Sequence, residues 1–238
     1  DAIRSVHAAY FEAGADVAIS ASYQATFEGL AGRGIDRNQA AALMRRSAEL
    51  AREAAGSGRV VAASVGPYGA MLGNGAEYTG DYDKDEDQLV EFHVPRIEAL
   101  AEAEPDVLAV ETIPSFVEAR ALVRALEKVP EIPAWVSFSC RDGRHICDGT
   151  PIGSAVEVVA SAPGVIAVGV NCTSPLFVER LVETISDTTG KHIVCYPNRG
   201  SFWDPMRKTW TDPPRQDARP PLRPLAWKEA GASLIGGC

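Results

Sequence analysis

Residues 166–173 read IAVGVNCT, and this stretch decides the fold. An apolar run, residues 166–170, stops abruptly at Asn171, Cys172 and Thr173. A strand with one wet face alternates apolar and polar residues. An unbroken apolar strand is covered on both faces, as in a parallel sheet backed by helices. Residues 16–20, 60–65, 107–111, 135–139, 192–196 and 233–235 have the same form, dense in Val, Ile and Ala. Amphipathic segments lie between them. Residues 37–55 are rich in Ala, Leu, Arg and Glu, and Gly56 follows as a stop. Residues 85–103 open with acidic side chains that suit a helix N-terminus, and Pro95 predicts a kink or a broken first part. Residues 115–128 begin with Ser115 and carry Glu118 three positions on, the spacing of a capping box. Residues 175–188 follow Ser174 in the same style. Such alternation fits either an open doubly wound sheet or a (β/α)8 barrel with one unit missing. No Gly-x-Gly-x-x-Gly follows an early strand and no Walker sequence occurs, so the nucleotide-binding versions lose their best signal.

Composition narrows the function classes. The chain has 238 residues, a length that barrels use as one domain. Its net charge is −9, with a pI near 5.0, which argues against nucleic acid as a partner. No apolar run is long enough for a membrane span, and residues 1–4 have no signal-peptide character. The acidic run 81–87 reads as a solvated loop, and the Pro-rich stretch 204–224 as an irregular one. The five cysteines, Cys140, Cys147, Cys172, Cys195 and Cys238, contain no Cys-x-x-Cys pair. An odd count without a secretory signal suits reduced thiols in the cytoplasm.

In a barrel the chemistry sits where strands end. Those ends carry one carboxylate (Glu111), two cysteines (Cys172 and Cys238), amides and aromatics, but no His or Lys. A Ser-His-Asp triad and Schiff-base chemistry are therefore disfavoured. Cys172 and Cys238 are either small buried residues or two thiolates converging on a metal such as zinc. Glu111 is either a partner for the following helix N-terminus or a receptor for a substrate ammonium. Tyr23, Tyr68, Phe138, Tyr196 and Trp203 are either packing residues or a wall for an apolar or cationic ligand.

At these positions the sequence resembles the homocysteine S-methyltransferases, in particular the branch using S-methylmethionine. The resemblance rests on ASYQATFEGLAGRGI (21–35), ASVGPYGAMLGNGAEYTGDY (63–82), VET (110–112), SFSCRDGRHICDGTPI (137–152), GVNC (169–172), YPN (196–198), KTW (208–210) and AGASLIGGC (230–238), in order over nearly the whole chain. It implies a zinc-bearing (β/α)8 TIM barrel forming a single homocysteine-binding domain over 1–238, with the first strand and last helix of the family absent at its two ends. It also implies Cys172 and Cys238 as zinc ligands, the family's third ligand lying one residue past Cys238. Glu111 is then the receptor of the homocysteine amino group, and Asn171, Thr173, Gly237, Tyr23, Gln24 and Phe138 line the substrate pocket. The implied reaction is transfer of a methyl group from S-methylmethionine, or S-adenosylmethionine, to homocysteine, giving methionine. A cytoplasmic monomer without nucleic-acid or membrane partners is expected. The competing expectation is a non-catalytic amino-acid-binding barrel with an incomplete metal site.

Overall fold

The computed structural model describes residues 2–199, 202–204, 206–207, 209–211 and 220–238, without the side chains of Phe202, Trp203 and Trp210. Part of the 204–224 stretch therefore lies outside the described residues, as does the Trp203 ring.

All seven expected strands form one parallel sheet: β1 (Val17–Ile19), β2 (Val60–Val65), β3 (Val107–Ile113), β4 (Ala134–Phe138), β5 (Val165–Asn171), β6 (His192–Tyr196) and, next to β6, β9 (Leu234–Ile235). Strand order follows chain order, so every crossover returns to the adjacent position, as in a (β/α)8 barrel. A short antiparallel pair, β7 (Phe202–Asp204) and β8 (Thr209–Thr211), replaces part of the expected irregular loop.

Helix α1 (Ala2–Glu12) precedes β1, and α3 (Arg37–Ala55), α5 (Glu86–Ala101), α6 (Phe116–Leu126), α7 (Ile152–Ala160), α8 (Pro175–Thr188) and α9 (Pro224–Glu229) cross between strands, with short α2 (Phe27–Ala31) and α4 (Tyr68–Leu72) on the rim side. Asp36 and Asp85 each form a reciprocal capping box, with Gln39 and Gln88. Asp85 thus leaves the acidic run to start a helix, and Glu86 pairs with Arg120 and Arg124 of α6. Contrary to expectation, α5 is continuous through Pro95. The carbonyl that Pro95 cannot serve belongs to Glu91, which is exposed to water, while Phe92, His93, Arg96 and Ile97 hold the helix by burial. Among the described residues no helix is long and apolar enough to cross a membrane.

The sheet has two covered faces. One packs against the helices through Val65, Leu108, Val110, Val136, Phe138, Val168 and Val170. The other is the barrel interior, filled by Ala62, Val107, Ala109, Trp135, Ala167, Val194 and Tyr196. Between Trp135 and Tyr196, β5 presents Gly169, where a Cβ would fall 1.7 Å from the Val194 carbonyl oxygen. Only glycine lets β5 and β6 approach so closely, and the space above it lets Trp135 Nε1 donate across to the Tyr196 hydroxyl at 3.1 Å.

Candidate active site

The interior-facing residues at the strand ends are polar and joined into one network. Glu111, at the end of β3, is 7% exposed. One of its oxygens accepts from Ser64 Oγ at 2.5 Å and the other from the Tyr196 hydroxyl at 2.9 Å. Burial pushes the Glu111 carboxyl above its ordinary value, against those two hydrogen bonds. It is thus a buried carboxylate with a neutral hydroxyl donor on each oxygen.

Next to it Thr112 has φ 64°, a left-handed conformation that a β-branched residue rarely adopts. Asn171 holds it there. Asn171 Oδ1 accepts from the Thr112 N–H at 2.7 Å and from Ser137 Oγ at 2.8 Å, while Nδ2 donates to Thr112 Oγ1 at 2.7 Å. Every polar atom of the Asn171 side chain is thus engaged in setting the turn that carries Glu111. Thr173 is similarly internal, with Oγ1 donating to the Asn171 carbonyl at 2.9 Å and accepting from the Cys140 N–H at 3.0 Å.

Cys172 follows with φ 45°. The left-handed turn ends β5 and carries the thiol to Cys238, which the main chain past β9 brings over Pro197, Cys238 N–H to Pro197 O at 3.1 Å. The Cys172 thiol donates to the Cys238 sulfur, so Cys172 is held well above the usual thiol range by that bond and by burial, and Cys238 is held below it. Cys238 is an exposed residue, yet its sulfur is on this shared proton. The phenol of Tyr78 also hydrogen-bonds Cys172. Two converging thiols are a donor pair suited to a thiophilic divalent ion. No cluster of three or more such ligands occurs among the described residues.

The loops after β1 and β2 form the opposite wall. Tyr23 lies on Gly66, where a Cβ would come within 2.5 Å of the Tyr23 carbonyl and 2.7 Å of its ring. Arg96, fully buried in α5, donates to the carbonyls of Gly66 at 2.7 Å and Tyr23 at 3.1 Å, tying the two loops together. Gln24 is exposed and donates to the Ala70 carbonyl at 3.2 Å. The expected capping box at Ser115 is half formed: Ser115 Oγ accepts from the Glu118 N–H, but the Glu118 carboxylate turns away. It accepts instead from Tyr68 N–H, His93 Nε2 and the Tyr82 hydroxyl, anchoring the loop after β2.

The structure thus brings together Cys172, Cys238, Glu111 and Tyr23, with Asn171 and Thr173 beneath them and Gly237 in open space beside Cys238. Phe138 is not brought to the site. Its neighbour Ser137 takes the interior position, and alternation along β4 sends Phe138 into the helix-facing core. Tyr68 packs on Phe92 and Tyr82 instead of on the rim. Glu77 and Tyr78, on a short turn after α4, were not expected at the site; they lie in a loop without periodicity, where only the fold can place them.

A parallel (β/α) barrel with paired thiols and a buried carboxylate at its C-terminal rim has the layout of a barrel enzyme. Residues 1–238 match the family model for homocysteine S-methyltransferase. The chain is 45% identical to homocysteine S-methyltransferase YbgG of Bacillus subtilis, over 99% of this chain and 78% of that protein. It is 39% identical to a selenocysteine Se-methyltransferase of Brassica oleracea, over 99% and 74% of the two chains. The crystal structure of the homocysteine methyltransferase MmuM from Escherichia coli, in its metallated form, superposes with a TM-score of 0.85 at 42% identity, covering 99% of this chain and 78% of that one. The chain belongs to the homocysteine S-methyltransferase family, and its activity is methyl transfer to homocysteine. That membership replaces the expectation of a non-catalytic binding barrel.

Proposed function

We propose that the protein transfers a methyl group from S-methylmethionine, with S-adenosylmethionine as the second candidate donor, to the thiolate of homocysteine in a zinc-dependent reaction. The observation that carries this reading is the convergence of Cys172 and Cys238 above a buried Glu111. Zn2+ held by Cys172 and Cys238 with further donors would supply the positive charge that keeps a thiol of pKa about 8.5 ionised at neutral pH.

Glu111 receives the homocysteine ammonium, and its two hydrogen bonds fix the carboxylate so that the thiolate end points toward the cysteines. Thr112 and Asn171 set that direction by holding the turn. The loops carrying Tyr23 and Gly66 cover the other side, where a sulfonium would lie against aromatic faces. The homocysteine sulfur forms a bond to the methyl carbon as the bond from that carbon to the donor sulfur breaks. The electron pair stays on the donor sulfur, which becomes a neutral thioether, so no general acid is required. With S-methylmethionine both products are methionine. The five free thiols suit a reducing, cytoplasmic setting.

A donor-panel assay tests this reading: homocysteine with S-methylmethionine, S-adenosylmethionine or glycine betaine, with metal content measured in the same sample. Methionine formation from a sulfonium donor by zinc-replete protein is expected. Zinc-replete, folded protein that forms methionine only from betaine, or from none, refutes the donor assignment.

A further inference from the structure

Homocysteine and S-methylmethionine each carry an α-ammonium, and Glu111 can serve one of them. Two buried polar atoms near the thiols have no hydrogen-bond partner among the described residues, Glu77 Oε2 and the Tyr23 hydroxyl. Tyr23 lies beside Thr112 but outside hydrogen-bond geometry with it. Glu77 is 8% exposed. Its main chain is fixed from the β4 loop, Ser139 Oγ donating to the Glu77 carbonyl at 3.0 Å. Its carboxylate is bonded only by its own backbone N–H. The Tyr23 hydroxyl lies in the fields of both Glu77 and Cys172, and Tyr78, the residue after Glu77, hydrogen-bonds Cys172. The unpaired carboxylate is therefore close to the two tyrosines that neighbour Cys172. A buried carboxylate without a cation is unfavourable, and folded proteins keep such a group where something else completes it.

We propose that Glu77, with Tyr23 beside it, is the ammonium subsite of the methyl donor, and that it selects a sulfonium that is also an amino acid. This rests on the methyl-transfer reading above. Glu111 and Glu77 then hold one amino acid each, with both sulfur ends meeting beside Cys172. An incoming ammonium meets Glu77 through charge-assisted hydrogen bonds, and the Tyr23 ring covers the cationic end of the ligand. Burial holds the Glu77 carboxyl above its ordinary range, and an ammonium's charge would offset that penalty.

The test compares wild type, Glu77→Gln and Glu77→Asp with two donors at saturating homocysteine: S-methylmethionine and dimethylsulfoniobutanoate, the same sulfonium without its amino group. Wild type is expected to prefer the aminated donor by roughly a hundredfold in kcat/KM, the scale of a lost charged hydrogen bond. Glu77→Gln is expected to lose about that factor on S-methylmethionine only, erasing the preference while homocysteine KM stays within about twofold. Glu77→Asp should fall between. A preference that survives Glu77→Gln overturns the proposal. So does a homocysteine KM that rises in step with the donor KM, or loss of the cooperative thermal transition in both variants. If wild type uses no sulfonium, the methyl-transfer reading fails instead. Calorimetric titration of S-methylmethionine into wild type and Glu77→Gln then decides the subsite: weaker binding by the variant supports it, and equal affinity overturns it.

Discussion

Replacing Asn171 by Ala tests how the rim is held. The substitution removes three hydrogen bonds at once: from the Thr112 N–H, to Thr112 Oγ1 and from Ser137 Oγ. Asn171 and Thr112 are each 1% exposed and Ser137 is fully buried, so water does not readily replace the lost partners. Each bond contributes about 1 kcal/mol, and the Thr112 N–H, left buried and unpaired, raises its own share to about 2 kcal/mol. The expected loss is therefore about 4 kcal/mol, or roughly 8–16 °C in Tm for a chain of this size. Thr112 at φ 64° has no other side chain holding its N–H, so the turn relaxes and Glu111 shifts with it. Urea unfolding followed by circular dichroism measures the stability, and homocysteine KM measures the shift. Asn171→Asp keeps the acceptor for the Thr112 N–H and should lose less. A loss below about 1 kcal/mol with unchanged homocysteine KM would refute the reasoning, since it would mean the strained turn is held by something else.

Gly66→Ala places a methyl group 2.5 Å from the Tyr23 carbonyl, so Tyr23 must move; donor KM should rise with little change for homocysteine, and equal donor KM in the two proteins would contradict the packing. His93 and His7 are both held below 6.5 by burial, so the unfolded chain binds more protons than the folded one as pH falls past that value. Their contribution is complete above pH 6.5 and is lost below it, at up to about 1.4 kcal/mol per pH unit for each group; urea midpoints between pH 7 and 5 measure it, and His93→Gln should flatten the slope. Alkylation by iodoacetamide at pH 8, read by peptide mass spectrometry, should modify Cys238 first. The other four thiols, all pushed up and with Cys147 and Cys195 at about 11 and about 12 by burial, should be modified more slowly, and early labelling of Cys195 would contradict its placement in the core.

The strands were legible because burial on both faces leaves an unbroken apolar run, a signal independent of register. The ends of β3 and β5 extend past the expected limits because Thr112, Ile113 and Asn171 stay paired or buried although they are polar or lie beyond the run. Phe138 shows what the pattern lacks. A strand buried on both faces gives no parity, so the sequence cannot tell which of Ser137 and Phe138 faces the interior. Cys172 and Cys238 could be placed on one rim from strand order alone. Their shared proton depends on the left-handed turn at Cys172, which no local residue signal announces. Glu118 looked like half of a capping box and instead anchors the loop after β2, because three donors from distant segments outbid one backbone N–H. Glu77 and Tyr78 reach the site through a loop whose course only the fold determines.

The central claim is direct methyl transfer at the Cys172–Cys238 rim. It is tested by incubating zinc-replete protein with homocysteine labelled with carbon-13 in its carbon skeleton and S-methylmethionine labelled with deuterium in both sulfonium methyl groups, so that mass spectrometry separates the two methionine products. The account predicts that every methionine formed carries one labelled methyl group, half of it built on the homocysteine skeleton, and that Cys172→Ser abolishes the reaction while remaining folded. Labelled methionine appearing without methylated homocysteine, or full activity in Cys172→Ser, would contradict it.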